Sequence, residues 1–128
     1  MHRTTVFAAD APKAIGPYSH AVVAGGLVFT SGQLPIDPAT GQVVPGEDAK
    51  AHVRQALRNI QAVLRAAGAD LKDVVKVNVF LARITDAKAM NEVYAEFFSA
   101  GPPARTTVGA ALPAGALVEI DAIAAVPS

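Results

Sequence analysis

The sequence contains no cysteine and no tryptophan. The lack of cysteine excludes disulfides, thiolate metal ligands and a cysteine nucleophile. No run approaches the roughly 20 apolar residues of a membrane-spanning helix, so none is predicted. Residues 1–5 open no long apolar stretch; we therefore expect no signal peptide and a cytoplasmic protein.

The sequence also lacks an excess of positive or negative charge. The 128 residues include 11 basic and 11 acidic side chains, which gives a formal net charge of zero. Nucleic-acid-binding proteins usually present a basic patch or stripe. Here Arg54, Arg58 and Arg65 have the spacing of one solvated helix face. The charge pattern therefore disfavours nucleic acid as a partner.

Apolar residues are plentiful, at 52% of the chain. A chain of this size buries about two-thirds of its unfolded surface, which suffices for one core without cross-links. Because no composition shift and no repeat divides the sequence, we expect a single domain over residues 1–128.

Hydrophobic periodicity predicts two helices and five or six strands. The first helix runs over residues 49–67, after Glu47-Asp48 and before Gly68; the second runs over residues 85–98. The strands are predicted at residues 4–7, 21–24, 27–30, 74–81, 106–110 and 117–126, with a hairpin turn at Gly25-Gly26. In the fourth strand, we expect one face to carry Val75, Val77, Val79 and Leu81.

This order of elements predicts an α+β fold, a mixed sheet with two helices on one face. Two helices cannot cover both faces of such a sheet. The uncovered face carries apolar residues, among them Phe80 and Ile123, and we expect other copies of the chain to cover it.

Most familiar catalytic patterns are missing. His2, His20 and His52 lack metal-ligand spacing, so no metal site is expected. No Gly-x-Ser-x-Gly motif surrounds Ser19 or Ser31, and no phosphate-binding or dinucleotide-binding motif is present.

Arg105 and Glu119 are the main candidate site residues. Arg105 follows a stiff Pro102-Pro103 lead-in, and its guanidinium suits bidentate contact with a carboxylate; the alternative is a surface or interface ion pair. Glu119 lies on the uncovered face, where a buried carboxylate is costly unless it is paired or functional. The alternative for Glu119 is a pair with Lys76 or with an arginine.

Tyr18, Ser31 and Asn91 are weaker candidates. Tyr18 follows Gly16-Pro17, Ser31 follows a strand, and Asn91 lies in the second predicted helix. Taken singly, the first two are typical of loop residues and the third of a solvated helix residue or a local cap.

Six segments carry a family resemblance in their order and spacing. They are IGPYS at 15–19, TSGQLP at 30–35, VNVFL at 77–81, NEVYAEFF at 91–98, PARTTV at 103–108 and VEIDAIA at 118–124. Together they resemble the Rid (YjgF) family of 2-iminobutanoate/2-iminopropanoate deaminases, from residue 15 to the C terminus. The Pro103-Ala104-Arg105 segment with Glu119 downstream is the most specific part.

The resemblance implies a chorismate-mutase-like fold that assembles as a homotrimer, with sheets packed inward and an active site in each cleft between subunits. It implies hydrolysis of 2-imino acids and enamines, such as 2-iminobutanoate and 2-iminopropanoate, to 2-oxo acids and ammonia. The partners would be small 2-imino and 2-oxo carboxylic acids, and no cofactor or metal is implied.

The resemblance also assigns roles to residues. Arg105 would bind the substrate carboxylate, and Glu119 would position and polarise the attacking water. The remaining substrate-binding positions would be Tyr18, Ser31, Gly32, Asn91 and Thr107. The chain departs from the family pattern at three places: Thr107 stands where well-known members carry cysteine, His20 where glutamine is frequent, and Asp121 where glutamate is frequent.

Two other functions stay open at this point. One is a non-catalytic trimer that binds or senses small carboxylates. The other is a ribonuclease-type translation inhibitor, an activity attached to some members of the family. Zero net charge and the lack of a histidine pair for acid–base chemistry disfavour the ribonuclease.

Overall fold

The computed structural model describes residues 2–127, and within them eight strands and two α-helices. The elements are β1 (Arg3–Val6), β2 (Ala21–Ala24), β3 (Leu27–Thr30), β4 (Ile36–Asp37), β5 (Gln42–Val43), α1 (Ala49–Ala66), β6 (Val74–Leu81), α2 (Ala87–Phe97), β7 (Ala104–Gly109) and β8 (Val118–Ala125). The predicted mixed α+β fold is confirmed.

Six strands form one sheet in the order β1-β2-β3-β8-β6-β7, and β4 pairs with β5 separately. Neighbouring strands of the large sheet are antiparallel except β6 and β7, which are parallel and are connected through α2. The predicted hairpin joins β2 to β3: Gly25 has φ 58° and Gly26 has φ 77°. Two positive φ angles are what a tight hairpin turn requires, and glycine adopts them without strain.

The ends of α1 follow from its flanking residues. The carboxylate of Asp48 accepts a hydrogen bond from Lys50 N at 3.0 Å and caps the first turn. After the last turn, Gly68 takes φ 84°, the left-handed conformation that commonly ends a helix. A short 3₁₀ turn, Ile84–Asp86, precedes α2, so this helix begins two residues later than predicted.

Both helices pack on one face of the sheet. The fully buried side chains of α1 and α2 join the inward-facing residues of β3, β6 and β8 in one core, which includes Val28, Val53, Leu57, Ile60, Val77, Val79, Met90 and Ile120. Along β8, buried and half-buried residues alternate strictly, as the sequence pattern predicts.

The prediction for Val75 is wrong. Val75 is 48% exposed, although Val77, Val79 and Leu81 lie in the core as expected. The pairing of β6 with β8 is irregular between Val74 and Lys76. Such a bulge inserts one residue into the alternation and turns the preceding side chains to the other face.

The opposite face of the sheet has no helix over it. Phe29 on β3 and Val108 on β7 are 41% and 42% exposed, and Phe80 and Ile123 are half-buried there. The register places Phe29 directly opposite Ile123 and Phe80 opposite Val108. The sequence-based expectation of an apolar, uncovered face is met; no helix within residues 2–127 has the length and hydropathy to cross a membrane.

Two polar residues of α1 are buried within its apolar face, and the periodicity of the sequence does not predict their burial. Asn59 donates from Nδ2 to the carbonyl oxygens of Leu34, at 3.1 Å, and Ile36, at 2.8 Å. His52 accepts from Leu117 N through Nδ1 at 3.2 Å, so its Nε2 carries the hydrogen and donates to Gly46 O at 3.1 Å. These side chains attach the irregular segment around β4 and β5 to the core.

We expect Asn59→Ala to destabilise the protein by about 1–3 kcal/mol, because the carbonyl groups of Leu34 and Ile36 each lose the hydrogen bond from Asn59, and Leu34 O keeps only the one from Ile36 N. Urea unfolding at one fixed protein concentration measures the effect. Arg58→Ala, an exposed substitution on the same helix, serves as the control and should change stability by less than about 0.5 kcal/mol. Equal stability of the two variants would show that Asn59 does not hold the β4 segment.

Candidate functional site

A cleft lies at the end of β3, against β8, and we call it the Glu119 cleft. Its volume is about 370 Å³, and its lining residues are Pro12, Lys13, Ile15, Tyr18, Ser31, Gly32, Gln33, Leu34, Ile36 and Glu119. Four of the candidate residues from the sequence therefore come together in it: Tyr18, Ser31, Gly32 and Glu119.

Glu119 lies beside Gly32 because the segment after β3 is hydrogen-bonded to β8. Gln33 and Ile120 exchange two backbone hydrogen bonds, of 2.7 and 3.1 Å. A Cβ atom at position 32 would overlap Oε2 of Glu119 and would lie 3.0 Å from its Cδ. Glycine leaves this space free, whereas a larger residue would displace the Glu119 carboxylate from its present position.

The electrostatics of Glu119 are those of a half-buried, unpaired acid. Burial raises the pKa of its carboxyl above the ordinary value, and the negative charge of Asp121 raises it further. Within the part of the chain that is described, no cation forms an ion pair with Glu119. Lys76, the partner considered from the sequence, instead donates to Thr106 Oγ1 at 2.7 Å.

The loop that carries Tyr18 is held at several points. Ser31 Oγ donates to Ser19 O at 2.6 Å, and the Tyr18 hydroxyl accepts from Ile15 N at 3.3 Å. His20 is buried, accepts from Ala8 N through Nδ1 at 2.8 Å and therefore donates from Nε2 to Pro12 O at 2.7 Å. The departure at His20 is thus a structural anchor of the cleft wall.

Arg105 lies elsewhere, in a second group that we call the Arg105 cluster, together with Met90, Tyr94 and Thr107. Arg105 is opposite Val77 of β6 in the register, and its guanidinium contacts two buried side chains of α2. It therefore projects from the helix-covered face. Thr107, two residues along the same strand, shares that face, and its hydroxyl is buried without a hydrogen-bond partner among residues 2–127.

Arg105 and Glu119 therefore do not meet within one chain. Glu119 pairs with Phe80 on the uncovered face, whereas Arg105 occupies the covered one. Strand β6 lies between β7 and β8, which separates their backbones by about 9–10 Å before the opposite directions of the side chains are considered. Asn91 is exposed on α2 and is also absent from the Glu119 cleft. The candidate residues thus lie in two separate groups within one chain.

Comparison with known proteins identifies the family. The family model described as "Endoribonuclease L-PSP" matches residues 8–126 of this chain. The chain belongs to this family, which is also called Rid or YjgF. This Rid chain shares its fold with the YjgF gene product of Escherichia coli: the TM-score is 0.89 at 42% identity, over 95% of this chain and 98% of that one. With the Rid family protein YyfA of Yersinia pestis, the TM-score is 0.92 at 43% identity, over 98% and 100% of the two chains.

Relatives of this Rid chain carry different names. A RutC family protein of Pyrococcus horikoshii is 51% identical over 95% of this chain and 97% of its own length. A protein of Capra hircus named 2-iminobutanoate/2-iminopropanoate deaminase is also 51% identical, over 95% and 89% of the two chains. A human protein of the same name is 45% identical over the same shares.

We expect Asp121→Asn to lower the pKa of Glu119, because the substitution removes the negative charge that disfavours a second carboxylate nearby. The pKa should stay above the ordinary value, since burial remains. NMR titration of the Glu119 side-chain carboxyl measures the change. Glu96→Gln, which neutralises an exposed acid of α2, is the control; a Glu119 pKa that is identical in Asp121→Asn and the native chain would contradict the coupling.

Proposed function

We propose that this Rid chain hydrolyses small 2-imino acids to 2-oxo acids and ammonia, at a site completed by two copies of the chain. The observation that carries the proposal is a pair of uncompensated charges. Glu119 has no cationic partner and Arg105 has no anionic one among the described residues. Other charged side chains also lack ion pairs, but Glu119 is half-buried in a cleft and the Arg105 guanidinium is packed against Tyr94. A carboxylate and a guanidinium placed in this way favour a small molecule bound by both.

A second copy of the chain would supply the arginine that the Glu119 cleft of the first copy lacks. The uncovered sheet face bears Glu119 together with exposed Phe29 and Val108, and an apolar face of this kind favours burial against another protein surface. Strand β7 is an edge strand, so Arg105 lies at the edge of the sheet, with its side chain on the helix-covered face. Packing of copies around a closed axis would bring the Arg105 cluster of one chain to the Glu119 cleft of the next. A homotrimer with its sheets inward is the arrangement we propose.

In this site each half has one task. Arg105 binds the substrate carboxylate in bidentate fashion, and the backbone of Thr107 donates beside it. Glu119 holds a water against the C=N carbon, with the backbone of Gly32 nearby. Tyr18, Ser31 and Asn91 line the remaining wall.

The reaction needs one addition and one elimination. The water oxygen bonds to C2 of the protonated imine while Glu119 accepts the water's proton, which gives a carbinolamine. Glu119 then returns that proton to the amino nitrogen and accepts the proton of the carbinol hydroxyl as the C–N bond breaks and the C=O bond of the 2-oxo acid forms. This proton passes to the departing ammonia, which leaves as ammonium, and Glu119 is again a carboxylate. A carboxylate whose pKa is raised by burial is a stronger base than an ordinary one, which suits the first step.

The two alternatives make different demands. A sensor of small carboxylates would need the Arg105 cluster but no water-activating acid. A ribonuclease would need accessible acid–base groups, whereas both ring nitrogens of His20 and His52 are engaged in backbone hydrogen bonds. The unpaired Glu119 therefore favours imine hydrolysis over carboxylate sensing.

We expect Arg105→Ala to slow imine hydrolysis roughly 30- to 3000-fold, which corresponds to about 2–5 kcal/mol for an unpaired, desolvated carboxylate. Glu119→Gln should slow turnover roughly 100- to 10,000-fold, the usual range for the loss of an acid–base group. The assay generates 2-iminobutanoate with threonine dehydratase and follows 2-oxobutanoate above the spontaneous rate.

Arg58→Ala and Glu96→Gln are the matched controls, since each removes one exposed charge from a helix, and both should hydrolyse the imine at the native rate. If native protein adds nothing to the spontaneous rate yet still binds 2-oxobutanoate, the chain is a carboxylate sensor and the proposed hydrolysis is wrong.

Mixing the two inactive variants tests whether the site is shared between chains. After joint refolding of Arg105→Ala with Glu119→Gln in equal amounts, random assembly into a closed ring should restore about one quarter of native activity. The reason is that one site in four pairs an intact Glu119 with an intact Arg105 from the next chain. A mixture no more active than its components would refute a site built from two copies.

A further inference from the structure

The guanidinium of Arg105 is supported by uncharged side chains alone. Its Cζ lies 4.7 Å from the centroid of the Tyr94 ring, and its Nη1 lies 3.8 Å from Sδ of Met90. Among residues 2–127, no carboxylate pairs with it. The cation therefore lies over an aromatic ring, and most of its N–H donors remain available to an anion.

Tyr94 is itself held rigidly. It is 6% exposed, and its ring stacks on that of Phe98, with centroids 4.7 Å apart and planes inclined by 38°. Burial raises the pKa of its phenol, against the opposing effect of the Arg105 charge. Its hydroxyl has no hydrogen-bond partner among the described residues, so the ring is the part of Tyr94 that contacts the rest of the cluster.

We propose that Tyr94 is a positioning residue for Arg105: its ring holds the guanidinium plane in the orientation that binds the substrate carboxylate. The inference rests on the proposed role of Arg105. An arginine side chain has several rotatable bonds, and fixing them before the ligand arrives lowers the entropic cost of binding. An ion pair with a protein carboxylate would also fix Arg105, but it would compete with the substrate, whereas a stacked ring leaves the donors free.

The kinetic consequence concerns substrate binding rather than chemistry. Arg105 binds the substrate carboxylate equally in the ground state and in the transition state. A guanidinium made mobile by loss of the Tyr94 ring should therefore raise KM, while kcat changes less. For Tyr94→Leu we expect KM to rise roughly 2- to 30-fold, which is the factor equivalent to the loss of a cation–π contact. Tyr94→Phe keeps a ring below the cation, and its KM should stay within about 2-fold of native.

NMR of the arginine side chain provides a test that does not depend on activity. Protons above an aromatic ring are shifted upfield, so Hε and Hδ of Arg105 should be upfield in the native protein and in Tyr94→Phe, and should lose that shift in Tyr94→Leu. Arg105→Ala assigns the signals. Phe97→Leu, another aromatic-to-leucine change on α2 at a partly buried position, controls for general loosening of the helix and should leave both KM and the Arg105 shifts as in the native protein.

The outcomes separate this inference from the proposed function. If Arg105→Ala is strongly impaired while Tyr94→Leu keeps the native KM, Tyr94 does not position Arg105, although the deaminase proposal stands. A Tyr94→Phe variant as impaired as Tyr94→Leu would also overturn the inference, because the hydroxyl rather than the ring would be responsible. Native Arg105 protons without an upfield shift would overturn it even if Tyr94→Leu does not fold. If Arg105→Ala hydrolyses the imine at the native rate, the deaminase proposal itself is wrong.

Discussion

Side chains alternate between the two faces of a β-strand, and this constraint governs how the charged residues of this protein are arranged. Along β8 the alternation buries Val118, Ile120 and Ala122 under the helices and leaves Glu119 on the other face. Along β7 the same rule turns Arg105 towards α2. No rotamer change brings together two groups that a hydrogen-bonded sheet holds apart. The separation of Arg105 from Glu119 is therefore a property of the sheet itself.

The separation also explains why Arg105 and Glu119 do not pair with each other. Within the described chain, Lys50, Arg54, Arg65 and Arg83 each have an acidic partner, whereas Arg105 and Glu119 have none of opposite charge. Under the proposed function, assembly of several copies of the chain buries the apolar sheet face. The same assembly brings Arg105 of one copy near Glu119 of the next.

Buried polar side chains determine the shape of the Glu119 cleft. Asn59 ties the Leu34–Ile36 wall to α1, His20 ties the loop at Pro12 to β1's end, and Ser31 ties the Tyr18 loop to β3. Each anchor bonds to the backbone, so the cleft depends little on the identity of the loop side chains. A cleft fixed in this way needs little reorganisation to receive a small substrate, which is the condition for catalysis by positioning.

Local sequence determined much of this protein. The two helices, the Gly25-Gly26 hairpin, the alternation in β8 and the uncovered apolar face all follow from periodicity and turn chemistry, which act over a few residues. The family resemblance assigns Tyr18, Ser31, Gly32 and Glu119 to one site, and the structure places them in one cleft. The contacts of Asn59, His20, His52 and Tyr94 do not follow from local sequence, because each depends on a partner outside its own strand or turn. Only the tertiary structure decided that Val75 faces outward at a bulge and that Arg105 and Glu119 lie on opposite faces. Strand order and register set those relations, and they arise from the packing of the whole chain rather than from any local pattern.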